Sequence, residues 1–252
     1  MKWWIYLIVY LISQVAGVLT GIILSLCFHT DSLSILLISL LTANLLSILL
    51  FLLIRPARRI RANKFLRLNV ITFLMSIPCI VLVNLLMEYL PELPNSFDNM
   101  LIERLMKTPI GVISIALLAP IAEEFMFRGG ILGSMFKTYE FAGHDVSDRG
   151  HWRYIVWSAI IFSVAHFNPS QMIAALLIGL LLGWSYWKTG SLLAPCLIHI
   201  LNNSAATGLS LIYDDPDVTL SSVCGDAWGL VVIVCIAVVW LGVCIQAARK
   251  IQ

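Results

Sequence analysis

Long apolar runs recur along this chain, and their length limits the fold more than any other feature of the sequence. A helix needs roughly 20 apolar residues to cross the hydrocarbon core of a bilayer. By that measure the sequence predicts eight membrane spans, at about residues 3–27, 33–54, 69–88, 109–137, 153–167, 170–187, 190–212 and 227–247. Because backbone groups in lipid must bond within their own segment, each span is expected to be a helix. We therefore predict an all-α membrane protein, a polytopic bundle of about eight transmembrane helices in one domain over residues 1–252.

The composition supports a membrane protein and argues against several other classes. Hydrophobic residues make up 60% of the chain and charged residues only 12%, whereas a soluble domain carries roughly 25% charged residues. The net charge of +2 is too small to indicate a nucleic-acid partner. The six cysteines are scattered, which favours small buried side chains over a disulfide framework or a thiolate metal site.

The distribution of charged residues predicts the orientation in the membrane. The loop after span two is rich in basic residues: Arg55, Arg58, Arg59, Arg61, Lys64 and Arg67. The loop after span seven contains Asp214, Asp215 and Asp217 and no base. Since short cytoplasmic loops are enriched in Lys and Arg, we predict a multi-pass protein with both termini in the cytoplasm. We expect a bacterial plasma membrane, because the sequence carries no endomembrane retention signal.

Two polar segments lie outside the spans. Residues 95–107 carry apolar residues at four-residue spacing, which predicts a short amphipathic helix at the membrane interface. Residues 140–153 contain glycine and aspartate and are expected to form a loop. His144 and His151 in this loop are interpreted as solvated side chains and not as metal ligands.

Charged residues within span four give the first indication of function. The run PIAEEFMFRGG places Glu123, Glu124 and Arg128 in a segment that is otherwise apolar, and ionisable groups in such a position usually mark a functional site. Glu124 and Arg128 are four residues apart, so they share a helix face and can pair. Glu123 is turned by about 100° from Glu124 and is left available as a general base. The structural alternative is an ion network that only fixes helix packing.

Polar residues in two later spans give this carboxylate groups to work with. FSVAH ends in His166, and HILNN places His199 and Asn203 on one face four residues apart. Pro195 is expected to kink the second of these helices. Each cluster alone is compatible with hydrogen-bonded packing between helices. Together they can converge with the glutamate in one buried polar cavity, which would hold a base, two imidazoles and an oxyanion donor. The same set offers the ligands of a catalytic zinc site.

Other intramembrane chemistries lack their sequence signatures. The chain contains no HExxH, no GxSxG and no P-loop, and no aspartate lies in the middle of a span. Ser163 is three residues from His166, but we expect it to bond the backbone of its own helix. A zincin-type protease, a serine protease and an aspartyl pair are therefore not supported.

Three motifs resemble those of a known family when they are taken in order. EEFMFRG matches EExxxR, FSVAH matches FxxxH, and HILNN matches HxxxN. The ordered set resembles the CPBP family, which comprises the CAAX prenyl endopeptidases and their bacterial relatives and is also called the Abi family. The resemblance covers residues 110–203. It implies a metalloendopeptidase that cleaves a peptide bond within the membrane plane.

The resemblance also implies roles for individual residues. The implied site is Glu123, Glu124, Arg128, His166, His199 and Asn203. Glu123 would be the base that activates water, and Glu124 and Arg128 would support and orient it.

The resemblance leaves the use of a metal open. His166 would help to bind the attacking water, or a metal that holds this water, while His199 and Asn203 would complete the site. If the metal is Zn²⁺, the expected ligands are Glu123, His166 and His199. Without a metal, Glu123 and His166 would activate the water directly.

The expected substrate of a peptidase is a peptide or a membrane-anchored protein in the lipid bilayer.

Two other functions remain as alternatives. A non-catalytic scaffold, or a bacteriocin self-immunity protein, would instead bind a peptide partner in the same cavity. A proton-coupled transporter using Glu123 and the histidines is disfavoured, since the sequence shows no internal repeat of the kind found in many transporters.

Overall fold

The computed structural model describes residues 2–54, 65–91, 94, 99–143, 150–215 and 218–249, and these residues form helices and no strand. The helices in order are α1 (Trp3–Phe28), α2 (Ser32–Ile54), α3 (Phe65–Glu88), α4 (Asn99–Met106), α5 (Pro109–Phe141), α6 (His151–Val164), α7 (Pro169–Thr189), α8 (Leu193–Tyr213), α9 (Leu220–Cys224) and α10 (Ala227–Arg249).

Six of the described helices are long and apolar enough to cross a membrane: α1, α2, α3, α5, α7 and α10. The other two predicted spans, 153–167 and 190–212, correspond to α6 and α8. α6 has only 14 residues, and α8 carries a histidine and two asparagines in its middle. The prediction of an all-helical, multi-pass membrane protein is confirmed.

The chain divides into two compact units. The first unit contains Met1–Arg59, Phe97–Ser158 and His199–Pro216, and the second contains Ile60–Ser96, Ala159–Ile198 and Asp217–Gln252. The first unit therefore holds α1, α2, α4, α5 and most of α8. The interpretation of residues 1–252 as one integral membrane domain stays a prediction.

Small residues bring α1 and α2 into close contact within the first unit. A side chain added at Gly17 would collide with the backbone oxygen of Ser39 and the side chain of Ala43. A side chain added at Gly21 would collide with the Ser39 hydroxyl. Helices in lipid gain little from hydrophobic burial, so close contact between small residues is a main source of their association.

Helix α5 carries the charged motif and is not a regular α-helix. Its stretches Ser114–Leu118 and Phe125–Leu132 are π-helical. At the end of the second stretch the Gly133 N–H donates to the Arg128 carbonyl, five residues earlier. Such wide turns are rare and occur often at functional sites. Every residue from 126 to 132 is buried, so this part of α5 lies in the interior of the first unit.

The amphipathic segment forms α4, which begins at Asn99. Its C-terminal residues Leu105 and Met106 are buried, while Met100 is exposed. This short helix therefore presents one covered and one open face, as an interfacial helix should.

A surface ion cluster surrounds the end of α4. It consists of Asp31, Glu103, Arg104, Lys107 and Asp214. The Lys107 ammonium lies 2.7 Å from Glu103 and 3.0 Å from Asp214, and Arg104 lies 3.5 Å from Asp31. The cluster links α4 to the loop before α2 and to the end of α8.

Three expectations about individual residues are wrong. Pro195 does not kink α8, because the helix begins at Leu193 and a proline in the first turn needs no backbone donor. The Ser163 hydroxyl donates to the carbonyl of Met172 on the next helix, at 2.6 Å, and not to its own helix. His151 is not solvated, since it begins α6 and is buried.

Some of the residues that predicted orientation lie outside the described residues. They are Arg55, Arg58, Arg59, Arg61, Lys64 and Asp217, and His144 is likewise outside them. The cytoplasmic position of both termini stays a prediction.

Candidate active site

Glu124 and Arg128 form an ion pair in the interior of the first unit. The Arg128 Nη1 donates to Glu124 Oε1 at 2.8 Å, and both side chains have no exposed surface. The predicted pairing at four-residue spacing is therefore present. A buried charge is tolerated only when a partner offsets its lost hydration, and here each residue of the pair supplies that partner.

His199 of α8 lies between the two glutamates. Its Nδ1 lies 2.9 Å from Glu124 Oε1. Since a carboxylate can only accept, Nδ1 carries a proton, which assigns the tautomer. The other ring nitrogen, Nε2, lies 3.8 Å from Glu123 Oε2. Glu124 thus holds the imidazole in an orientation that directs Nε2 at Glu123.

Glu123 is the more accessible of the two glutamates. Its side chain is 18% exposed, against 0% for Glu124. The 3.8 Å separation from His199 is too long for a direct hydrogen bond. The predicted difference between a paired Glu124 and a freer Glu123 is therefore present in the structure.

Asn203 lies one helical turn after His199 and connects α8 to α5. Its Nδ2 donates to the carbonyl of Ile115 at 3.1 Å, and its Oδ1 accepts from Asn202 at 3.2 Å. Ile115 lies in the first π-helical stretch of α5. A side-chain amide has two N–H donors, and the bond to Ile115 uses one of them.

His166 belongs to the second unit, in the turn that follows α6. Its Nδ1 lies 2.8 Å from the carbonyl of Phe162, and the two rings meet edge to face at 4.8 Å. The carbonyl can only accept, so the proton is on Nδ1 and the lone pair of the neutral ring is on Nε2. The phenylalanine and the histidine of FxxxH are therefore in contact, although the helix ends before His166.

The structure places the six predicted residues as follows. Five lie in the first unit on two helices, with Glu123, Glu124 and Arg128 on α5 and His199 and Asn203 on α8. Of these, Glu124, Arg128 and His199 are joined by hydrogen bonds, and Glu123 faces the same histidine. The sixth, the histidine of FxxxH, lies in the second unit.

The zinc site that the resemblance implies stays a prediction. A catalytic zinc takes three protein ligands and keeps a fourth position for water. Glu123 and His199 of the first unit would supply one oxygen and one nitrogen, while His166, the third expected ligand, lies in the second unit. Among the described residues, no three His, Cys, Asp or Glu side chains are grouped so that they could hold a metal ion.

Helix α1 contributes neighbours that the motifs did not indicate. It packs against the π-helical stretch of α5 that spans 125–132. A side chain added at Gly130 would collide with the Tyr6 ring, and the rings of Tyr10 and Phe127 meet edge to face at 5.0 Å. A span that is apolar all round carries no periodic signal, so the sequence could not show which face of α1 meets the motif.

Comparison with known proteins finds one family model that matches the motif-bearing region. Residues 106–205 match the family model described as type II CAAX prenyl endopeptidase Rce1-like. These residues include all six predicted site residues, and the match confirms the resemblance to the CAAX proteases. No curated protein and no solved structure matches the chain.

Proposed function

We propose, on the premise that residues 106–205 match a family model of type II CAAX prenyl endopeptidases, that this chain is an intramembrane endopeptidase. It hydrolyses a peptide bond in a membrane-associated protein or peptide. One observation carries the proposal beyond the family match. His199 is held by Glu124 on one side and faces Glu123 on the other, inside an apolar helical unit. In hydrolytic sites a second group usually orients the nucleophile or base, and a third group orients the second.

Glu123 acts as the general base. It is the more exposed carboxylate, and its negative charge is not neutralised by an arginine, as that of Glu124 is. Glu123 takes a proton from water while the water oxygen attacks the carbonyl carbon of the scissile bond. A positioned base of this kind contributes about 10²–10⁴-fold to the rate.

Glu124 and Arg128 act by positioning. The carboxylate accepts from both Arg128 and His199, so the imidazole cannot rotate without breaking a buried charge-assisted bond. His199 Nε2 then takes the proton that Glu123 has collected and gives it to the departing amine. Water and the amide are consumed, and a carboxylic acid and an amine are formed.

Asn203 completes the proposed site in the first unit. The second N–H of the Asn203 amide donates to the oxygen on which negative charge develops. Donors placed in advance at that position stabilise the transition state strongly. The role of His166 of the second unit in binding the attacking water stays a prediction from the family resemblance.

The use of zinc is tested separately. Purified protein is assayed for metal content, and cleavage is measured with and without a chelator. The metal-free mechanism predicts full activity after chelation. Stoichiometric zinc that is lost in a His199→Ala variant would replace it with a metal mechanism.

The central experiment is cleavage of an internally quenched, farnesylated CAAX peptide by protein in liposomes. Glu123→Gln is expected to lower kcat by at least about 10²-fold, because the amide is no base. Insertion and yield should match those of wild type. Glu103→Gln, which removes a solvent-exposed carboxylate of the surface ion cluster, serves as the matched control and should remain active.

Two results would contradict the proposal. Full activity of both Glu123→Gln and His199→Ala would exclude the mechanism. The other result is that the wild type never cleaves the peptide, while Glu123→Gln still gives full protection in an immunity assay or still binds its partner. This result would favour the non-catalytic scaffold or immunity function instead.

A further inference from the structure

Helix α1 lies outside the residues that match the family model, yet it borders the charged motif. The family match begins at residue 106, whereas Tyr6 and Tyr10 lie on the first helix, one turn apart. Both side chains are buried, with 1% and 7% of their surface exposed. Their burial against α5 gives the first helix a face that is aromatic and carries hydroxyl groups.

Tyr10 lies on the side of α5 that carries Glu123. Its ring contacts Phe127 at 5.0 Å between ring centroids. Phe127 is four residues after Glu123, in the π-helical stretch of α5 that spans 125–132. Tyr10 is also close enough to Glu123 for an electrostatic interaction between the two groups. The ring contact and this interaction together put Tyr10 near the proposed base.

The hydroxyl of Tyr10 is available as a donor. The Glu123 carboxylate interacts with this hydroxyl electrostatically. A phenol with an ordinary pKa of about 10 is neutral at pH 7 and can donate.

We propose that Tyr10 is a catalytic residue of the site described above, and this inference rests on the proposed endopeptidase function. When Glu123 takes the proton from water, the water oxygen bonds to the carbonyl carbon and the π electron pair moves to the carbonyl oxygen. The Tyr10 O–H donates a hydrogen bond to that oxyanion and keeps its own proton. The first helix therefore supplies a donor that the three sequence motifs do not contain.

The test variant is Tyr10→Phe, which removes the hydroxyl and keeps the ring against Phe127. Loss of one oxyanion donor lowers kcat by about 10²–10³-fold, and we expect a loss in that range on the farnesylated quenched peptide. KM should change little, because the donor acts on charge that exists only in the transition state. Tyr6→Phe removes a hydroxyl from the same face of α1 and should leave kcat within about twofold of wild type.

A second measurement does not depend on substrate. The Raman contribution of Tyr10 is isolated as the difference between wild type and Tyr10→Phe, and the measurement is repeated in a Glu123→Gln background. We expect the Tyr10 contribution to change with Glu123→Gln, because the hydroxyl then faces a neutral amide. The contribution of Tyr6, isolated in the same way, should be unchanged.

The outcomes separate the two proposals. A wild-type kcat in Tyr10→Phe, with Glu123→Gln inactive, would overturn the role of Tyr10 and leave the endopeptidase function standing. A Tyr10 spectrum that is identical in both backgrounds would also overturn it. Absence of cleavage by wild type would contradict the endopeptidase function, and the catalytic role of Tyr10 with it.

Discussion

Two ion pairs in the first unit have the same geometry and lie in different surroundings. Arg128 and Glu124 are four residues apart on α5, with 2.8 Å between nitrogen and oxygen. Lys107 and Glu103 are also four residues apart, with 2.7 Å between their charged atoms. The first pair has no exposed side-chain surface, while the side chains of the second are 50% and 39% exposed.

The difference shows that environment, and not geometry, decides what such a pair does. Water already solvates the surface pair well, so its formation changes the free energy little. The buried pair has lost that hydration, and each charge depends on the other. The interior pair also holds the histidine of α8. A rigid, dry pair is suited to positioning a catalytic group, whereas a solvated pair is suited to solubility and to weak contacts between helix ends.

Removal of one basic residue from each pair should show the largest contrast. Arg128→Met leaves the Glu124 carboxylate buried without its arginine, and breaking such a pair costs about 3–5 kcal/mol. Lys107→Met leaves Glu103 in contact with water and should change the free energy of unfolding little. Both values can be measured by reversible unfolding in detergent micelles.

A milder variant allows the comparison to be made even if Arg128→Met does not fold. Arg128→Lys keeps the charge but loses the planar donor geometry, so its unfolding free energy should lie between those of wild type and Arg128→Met. If Arg128→Met and Lys107→Met proved equally stable, burial would not be what distinguishes the two pairs.

Double-mutant cycles should give the next largest contrast. The buried pair is examined with Glu124→Gln, Arg128→Met and the double variant, which leaves no unpaired charge in the interior. We expect a coupling energy of about 1–3 kcal/mol, with the double variant more stable than the sum of the two single losses implies. The same cycle on Glu103→Gln and Lys107→Met should give a coupling close to zero. A coupling close to zero for the buried pair would show that each charge has other sufficient partners.

The helical fold and the Glu124–Arg128 pair could be predicted because both follow from local spacing. Runs of apolar residues define helices in lipid without reference to the rest of the chain, and a four-residue separation puts two side chains on one face. The contact between Phe162 and His166 of FxxxH has the same four-residue spacing. It survives even though α6 ends at Val164, because the turn that follows keeps the His166 ring against Phe162.

The contacts of His199 could not be predicted in this way. Glu124 and His199 are 75 residues apart in the chain, and which ring nitrogen meets which carboxylate depends on how α8 packs on α5. The π-helical stretches are equally invisible in the sequence, since they reflect packing of α5 against its neighbours and not the preference of any one residue. The wide turns place the Ile115 carbonyl where Asn203 reaches it.

The smallest effect is expected in the dependence of stability on pH above neutral, where the Lys107 ammonium loses its proton. The hydrogen bond that Lys107 donates to Glu103, followed by the one it donates to Asp214, raises the pKa of the Lys107 ammonium above its usual value. The stabilisation is therefore fully present below the unfolded pKa of about 10.4 and is lost as the pH rises through the higher folded pKa. The Tm difference between wild type and Lys107→Met should be small, constant from neutral pH to about pH 10, and absent at higher pH.

Added salt should reduce the Tm difference between wild type and Lys107→Met at every pH, because exposed charges are screened. The Tm difference between wild type and Arg128→Lys should respond much less to salt, since a buried pair is screened far less. A salt response of equal size in both would mean that water reaches the Glu124–Arg128 pair.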